Sequence, residues 1–126
     1  MYDTKQLNAI DNAILQRLIG AGIDHVIFMD LSGNAIAKHS NGKTDLDATS
    51  FAALAAGNFA AVDAMARLVG ESEFSLLFHK GEKLSIHFSK VTEDTLLISM
   101  FGKNISLGLV RLKVAETIEE MNRVLS

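Results

Sequence analysis

Between Ala37 and Thr44 the chain reads AKHSNGKT: a small residue, four free positions, then Gly42, Lys43 and Thr44. That is the residue pattern of a loop that cradles nucleotide phosphates, in which backbone amides and the lysine hold the phosphates and the hydroxyl meets magnesium. Such a loop works because it leaves a strand and enters a helix at once, so that the helix's first amides point at the anion. Here the strand expected over Ala35 to His39 overlaps the pattern, and the next helix begins only near Asp47. Asp45 and Asp47 would also set negative charge beside the phosphates. A nucleotide hydrolase further needs a second acidic strand end for magnesium, which the antiparallel strand order expected here does not supply. The segment is therefore expected to be a polar surface loop.

Other reactive side chains are read the same way. The chain has 4 histidines. His79 and His87 fall on neighbouring alternating strands and share a face if the turn around Gly81 is odd in length; they are then roughly 13 Å apart at strand rise, too far for one ion. They are expected as exposed residues on a polar sheet face. His25 and His39, at opposite ends of an earlier hairpin, could lie close together, but no carboxylate or thiolate set completes a metal site there. With no cysteine, disulfides, thiolate metal sites and Cys nucleophiles are excluded. No Gly-x-Ser-x-Gly elbow is present, and the pairs Glu93–Asp94 and Glu119–Glu120 read as a turn and a solvated helix end. No catalytic residue, no cofactor site and no metal site is expected.

The elements follow from periodicity. A helix is expected from Thr4 to Ile19, with Leu7, Ile10, Ile14 and Leu18 on one face, Asp3 and Gln6 forming a capping box, and Gly20 and Gly22 closing it. HVIFMD (His25 to Asp30) and AIAKH (Ala35 to His39), joined by LSGN, predict a hairpin whose first strand is central. A long helix is expected from Asp47 to Val69, ending at Gly70. Three strands follow: one alternating Phe74, Leu76 and Phe78 with Ser75, Leu77 and His79; one alternating Leu84, Ile86 and Phe88 with Ser85, His87 and Ser89; and one from Thr95 to Phe101. Both apolar sets reach one face only with an odd turn, since a slip of one residue flips a strand. A last helix is expected from Ser106 to Leu125, with Leu107, Val110, Val114, Ile118, Met121 and Leu125 as its stripe. This hairpin-rich order predicts an α+β fold: an antiparallel sheet with helices on its faces, in one domain spanning residues 1–126.

Composition bounds the function. With 12 basic and 15 acidic residues, the net charge of -3 leaves no electrostatic footprint for nucleic acid, and Lys103, Arg111 and Lys113 read as a solvated face. The start, MYDTKQLNAI, has no apolar block behind a basic head, so no secretory signal is expected and the location is expected to be cytoplasmic. The longest uncharged run, Ala48 to Val62, falls short of the about 20 apolar residues of a spanning helix, so no membrane passage is expected. Yet 48% of residues are hydrophobic, a surplus for a small domain that suggests cover by another chain.

The stretch FAALAAGNFAAVDAMARLVG locates that surplus. Phe51, Leu54, Ala55, Phe59, Val62, Ala66 and Val69 form a stripe expected to pack on the sheet. A second stripe, Ala53, Ala56, Gly57, Ala60, Ala61, Ala64 and Leu68, is apolar and almost wholly small. Gly57 costs up to about 1 kcal/mol against alanine inside a helix, a cost explained if another helix approaches closely. The simplest partner is the same helix of a second copy, antiparallel across a two-fold axis. The following strand, with Ser75 and Leu77, is expected to pair with its own copy as an edge strand.

The helix FAALAAGNFAAVDAMARLVGE, the strands FSLLFHKGEKLSIHFSKV and the run TLLISMFGKNISLGLVRLKVAETIEEM together resemble the Roadblock family, which includes roadblock-type dynein light chains and the bacterial MglB-like regulators of Ras-like GTPases. The bacterial branch is the closer likeness, through ALAAGNFAAVDAMARLVGE and NISLGLVRL. The resemblance covers nearly the whole chain and implies a five-stranded antiparallel sheet with one helix on one face and two on the other, the Roadblock/profilin-like arrangement. It also implies a dimer joined through the second helix and the third strand. For MglB-like members it implies binding to a small Ras-like GTPase and acceleration of its GTP hydrolysis by remodelling the GTPase's own catalytic elements; for other members it implies a scaffold or adaptor role. An activator often supplies an arginine finger, but Arg17, Arg67, Arg111 and Arg123 all fall on expected helices. Under the activator reading, Asn58, Asp63 and Arg67 beside the second helix are the expected contact patch.

Overall fold

Capping chemistry starts the first helix where the sequence places it. The Asp3 carboxylate accepts from the Gln6 amide at 2.7 Å while the Gln6 side chain accepts from the Asp3 amide at 3.0 Å, satisfying two donors that a helix start otherwise leaves open. The computed structural model describes residues 2–71 and 77–125. In chain order they form α1 (Thr4–Arg17), β1 (His25–Asp30), β2 (Ala35–Ser40), α2 (Ala48–Leu68), β3 (Leu77–His79), β4 (Ser85–Thr92), β5 (Thr95–Phe101) and α3 (Leu107–Leu125). The first helix stops at Arg17, and a 3₁₀ turn over Ile19–Ala21, closed by Gly22 at φ 107°, carries the chain into the sheet. Phe74, Ser75 and Leu76 lie outside the described residues.

The five strands make one antiparallel sheet in the order β2-β1-β5-β4-β3. The continuous apolar runs HVIFMD and TLLISMF occupy its middle, where both faces need cover. On one face Val26, Phe28, Leu97 and Phe101 pack with Ile10 and Ile14 of α1, with Leu18 just after it, and with Val110, Val114 and Met121 of α3. On the other, Ile27, Met29, Leu96, Ile98 and Met100 meet Ala48, Ala52 and Ala55 of α2.

The register of β3 on β4 corrects one expectation. His79 pairs with Ile86 and Phe78 with His87, so the connection between them is even in length, not odd. Phe78 therefore joins the α1–α3 core, stacked on Phe101 at 6.2 Å, while Ile86 and Phe88 turn to α2. The reason is the double cover: with helices on both faces, neither face is a polar, solvated one, and each strand feeds a different core. His79 and His87 thus stand on opposite faces, and His87 is buried where exposure was expected.

The turn between β1 and β2 lies close against α2. Asp30 accepts from the amides of Ser32 at 3.0 Å and Asn34 at 2.9 Å, and these bonds hold its carboxyl below the usual carboxylate range, the Asn34 amide contributing most. Gly33 sits at φ +96°, and a Cβ there would lie 3.3 Å from the Ala53 Cα.

Candidate interaction surface

α2 begins at Asp47, whose carboxylate accepts from the Ser50 amide at 3.1 Å and from the Ser50 hydroxyl at 2.7 Å; the hydroxyl bond, before the amide bond, lowers its pKa. The amides at this helix start thus already face a carboxylate. Upstream, Thr44 Oγ1 is 2.7 Å from His25 Nε2, and the Lys43 amide donates to Asn41 Oδ1 at 2.9 Å. Gly42 to Thr44 form an exposed loop after the sheet's edge strand, several residues short of the helix. His39 donates from Nε2 to Asp11 Oδ1 at 2.8 Å. His25 and His39 are diagonal neighbours in the hairpin, so their side chains leave on opposite faces.

The buried line of α2 is made of alanines. Ala48, Ala52, Ala55 and Ala66 are buried, with Phe51, Phe59 and Val62 half-buried beside them. Two members of the expected core stripe are not in it: Leu54 is 75% exposed and Val69 is 71% exposed. Alanines let the helix sit close on the sheet, which narrows the covered face, and at 3.6 residues per turn Leu54 lies about 120° round the axis from that line. The sequence reading missed Ala48 and Ala52; their i, i+4, i+7 spacing to Ala55 was the available signal.

Opposite the buried line runs the small-residue stripe. Ala53, Gly57, Ala60, Ala61, Ala64 and Leu68 are exposed, and Ala56 is half-buried under the β1–β2 turn. A Cβ built on Gly57 meets nothing within 4 Å. Larger apolar side chains join this stripe: Leu54, Met65 at 53% exposure and Leu68 at 86%. By length and apolar character α2 would be long enough to cross a membrane; here it is one wall of a folded domain. Leu77, at the start of β3, stands opposite Phe88 in the register with β4, while Ser75 lies outside the described residues.

The three residues of the expected contact patch are not all together. Asn58 donates to His79 Nε2 at 3.3 Å, which ties α2 to β3 on one flank of the helix. Asp63 and Arg67 pair at 2.9 Å on the other flank, with the Arg67 side chain 73% exposed. The remaining arginines also stand on helices: Arg17 donates to Glu120 at 2.9 Å, Arg123 to Glu119 at 3.3 Å, and Arg111 lines a groove beside His87.

Comparison with known proteins gives this arrangement a family. Myxococcus xanthus MglB superposes with a TM-score of 0.90 at 32% identity, over 99% of this chain and 92% of that one. The gliding protein MglB of Thermus thermophilus gives 0.88 at 25% identity, over 98% and 93%. A structure described as MglB with a tetrameric arrangement gives 0.89 at 25%, over 98% and 92%. No curated protein matches. The family model described as Roadblock/LC7 domain matches residues 10–100, which take in α2 and all but the last residue of the sheet, and the chain belongs to that family.

Proposed function

We propose that the chain acts as a homodimer, joined through α2 and β3, that binds a small Ras-like GTPase in the cytoplasm and speeds its GTP hydrolysis without an arginine finger. The observation that carries this reading is the exposed face of α2, apolar from Ala53 to Leu68 and lying opposite the sheet. Monomers seldom keep such a patch in water. Full-length similarity to MglB supports the GTPase as the partner. Every arginine stands on a helix, three of them in ion pairs, which leaves none on a flexible loop to enter a partner's site. Activation then comes from tighter binding to one state of the GTPase, which shifts its population.

The test is single-turnover GTP hydrolysis by a Ras-like GTPase encoded beside this chain, with and without the protein. Acceleration is expected. Arg67→Ala is expected to raise the concentration needed for half the effect while leaving the saturated rate within a few-fold, where loss of a finger would cost about 10³ to 10⁵. Complex formation with an unchanged hydrolysis rate would leave the scaffold role of the family.

A further inference from the structure

Where β4 runs beneath α3, strand and helix leave an open groove of about 700 Å³, lined by His87 and Ser89 from the strand and by Arg111, Val114, Ile118 and Asn122 from the helix. It lies on the face opposite α2, so what it binds is independent of the dimer reading. Beneath its floor lie buried polar groups. His87 is 2% exposed and neither ring nitrogen has a hydrogen-bond partner among the described residues; Ser99, opposite it in the β4–β5 register, is buried with its hydroxyl equally unmet among them. A buried polar group left unpaired is destabilising, so two that face each other across the ladder call for a reason.

The rim supplies charge. Arg111 is exposed and makes no ion pair among the described residues. Glu119 lines the same groove, but its carboxylate is engaged by Arg123 at 3.3 Å. Between rim and floor, Val114 and Ile118 give an apolar wall. The groove is within the size range of small-molecule sites, and a guanidinium fork matches a carboxylate better than any other common anion-binding side chain.

We propose that this groove binds a small monocarboxylate, its carboxylate between the Arg111 guanidinium and a His87 ring N–H, its hydrocarbon body against Val114 and Ile118. Both His87 ring nitrogens are buried, so binding requires the ring to tilt outward as the carboxylate enters. The groups facing the ring are Arg111 and Glu119 from α3, Ser99 from β5 and Phe78 from β3. A carboxylate set against Arg111 offsets the positive charge that opposes protonation of the ring, which makes proton uptake by His87 easier and binding tighter as pH falls.

Titrating the isotope-labelled full chain with acetate, butyrate and hexanoate, and with 1-butanol as the neutral control, tests this by NMR. The expected result is saturable movement of the His87 ring and Arg111 side-chain signals, with the Kd falling about fourfold per added methylene until the wall is covered. Arg111→Gln, an exposed substitution that leaves the core intact, is expected to weaken butyrate binding tenfold or more, and His87→Phe to remove its pH dependence. No saturation in the tens of millimolar, equal binding of butanol and butyrate, or indifference to Arg111→Gln would each overturn the proposal.

Discussion

His87 shows what a single buried residue does to the chain's response to acid. Burial, and after it the nearby Arg111 charge, pushes its pKa down to about 4 from the ordinary 6.5. Above pH 6.5 the ring is neutral in both folded and unfolded chains and contributes nothing. As pH falls towards 4, the unfolded chain takes up a proton that the folded one refuses, so stability drops, reaching a loss of about 3 kcal/mol once both forms are protonated. Urea unfolding at pH 7.5 and pH 5 should therefore show the protein losing about 2 kcal/mol more than His87→Phe over that interval. Equal losses would mean that the ring is solvated. The sequence hid this residue for a physical reason: Ser85, His87 and Ser89 alternate with Ile86 and Phe88 as on a strand with a wet face, and alternation alone does not tell that α3 lies over it.

At the scale of elements, most of the fold was legible because its signals are local. The Asp3–Gln6 box, the Asp47 cap, the glycines after the helices and the apolar runs of β1 and β5 each act within a turn or a strand, and each element falls within a few residues of its expected place. What depends on contacts between elements was less legible: the β3–β4 register and the side of α2 that meets the sheet. Gly33 marks one such contact. It combines a left-handed backbone with so close an approach that an added Cβ would stand 3.3 Å from the Ala53 Cα and press on α2. Gly33→Ala is expected to cost about 1–2 kcal/mol from the backbone conformation alone, more from the contact, read as a lower urea midpoint with unchanged slope. An unaltered midpoint would show that the turn is free of the helix. Gly42, at φ +83° with nothing within 4 Å, serves as the control for the backbone effect without the contact.

For the whole molecule, the decisive quantity is what covers α2. The exposed Ala53, Gly57, Ala60, Ala61 and Ala64 make a shallow track flanked by Leu54, Met65 and Leu68, the shape that lets two helices approach closely while larger side chains close the sides. The exposed stripe was legible in the sequence as a run of small residues, whereas the exposure of Leu54 was not, because its neighbours Phe51 and Ala55 drew it into the wrong face. Gly57 separates two outcomes. In a lone protomer its surroundings are open, so Gly57→Ala only improves the helix, by up to about 1 kcal/mol. Between two packed helices the same methyl forces the axes apart, and Ala64→Glu buries a charge without a partner. The expected outcome is a dimer in sedimentation at micromolar concentration, a melting temperature that rises with protein concentration, and a shift of Ala64→Glu to the 13.6 kDa species. Gly57→Ala should weaken the dimer while leaving the dissociated protomer more stable. A melting temperature independent of concentration, together with Gly57→Ala that simply stabilises, would show α2 facing water, and the dimer on which the GTPase reading rests would be lost.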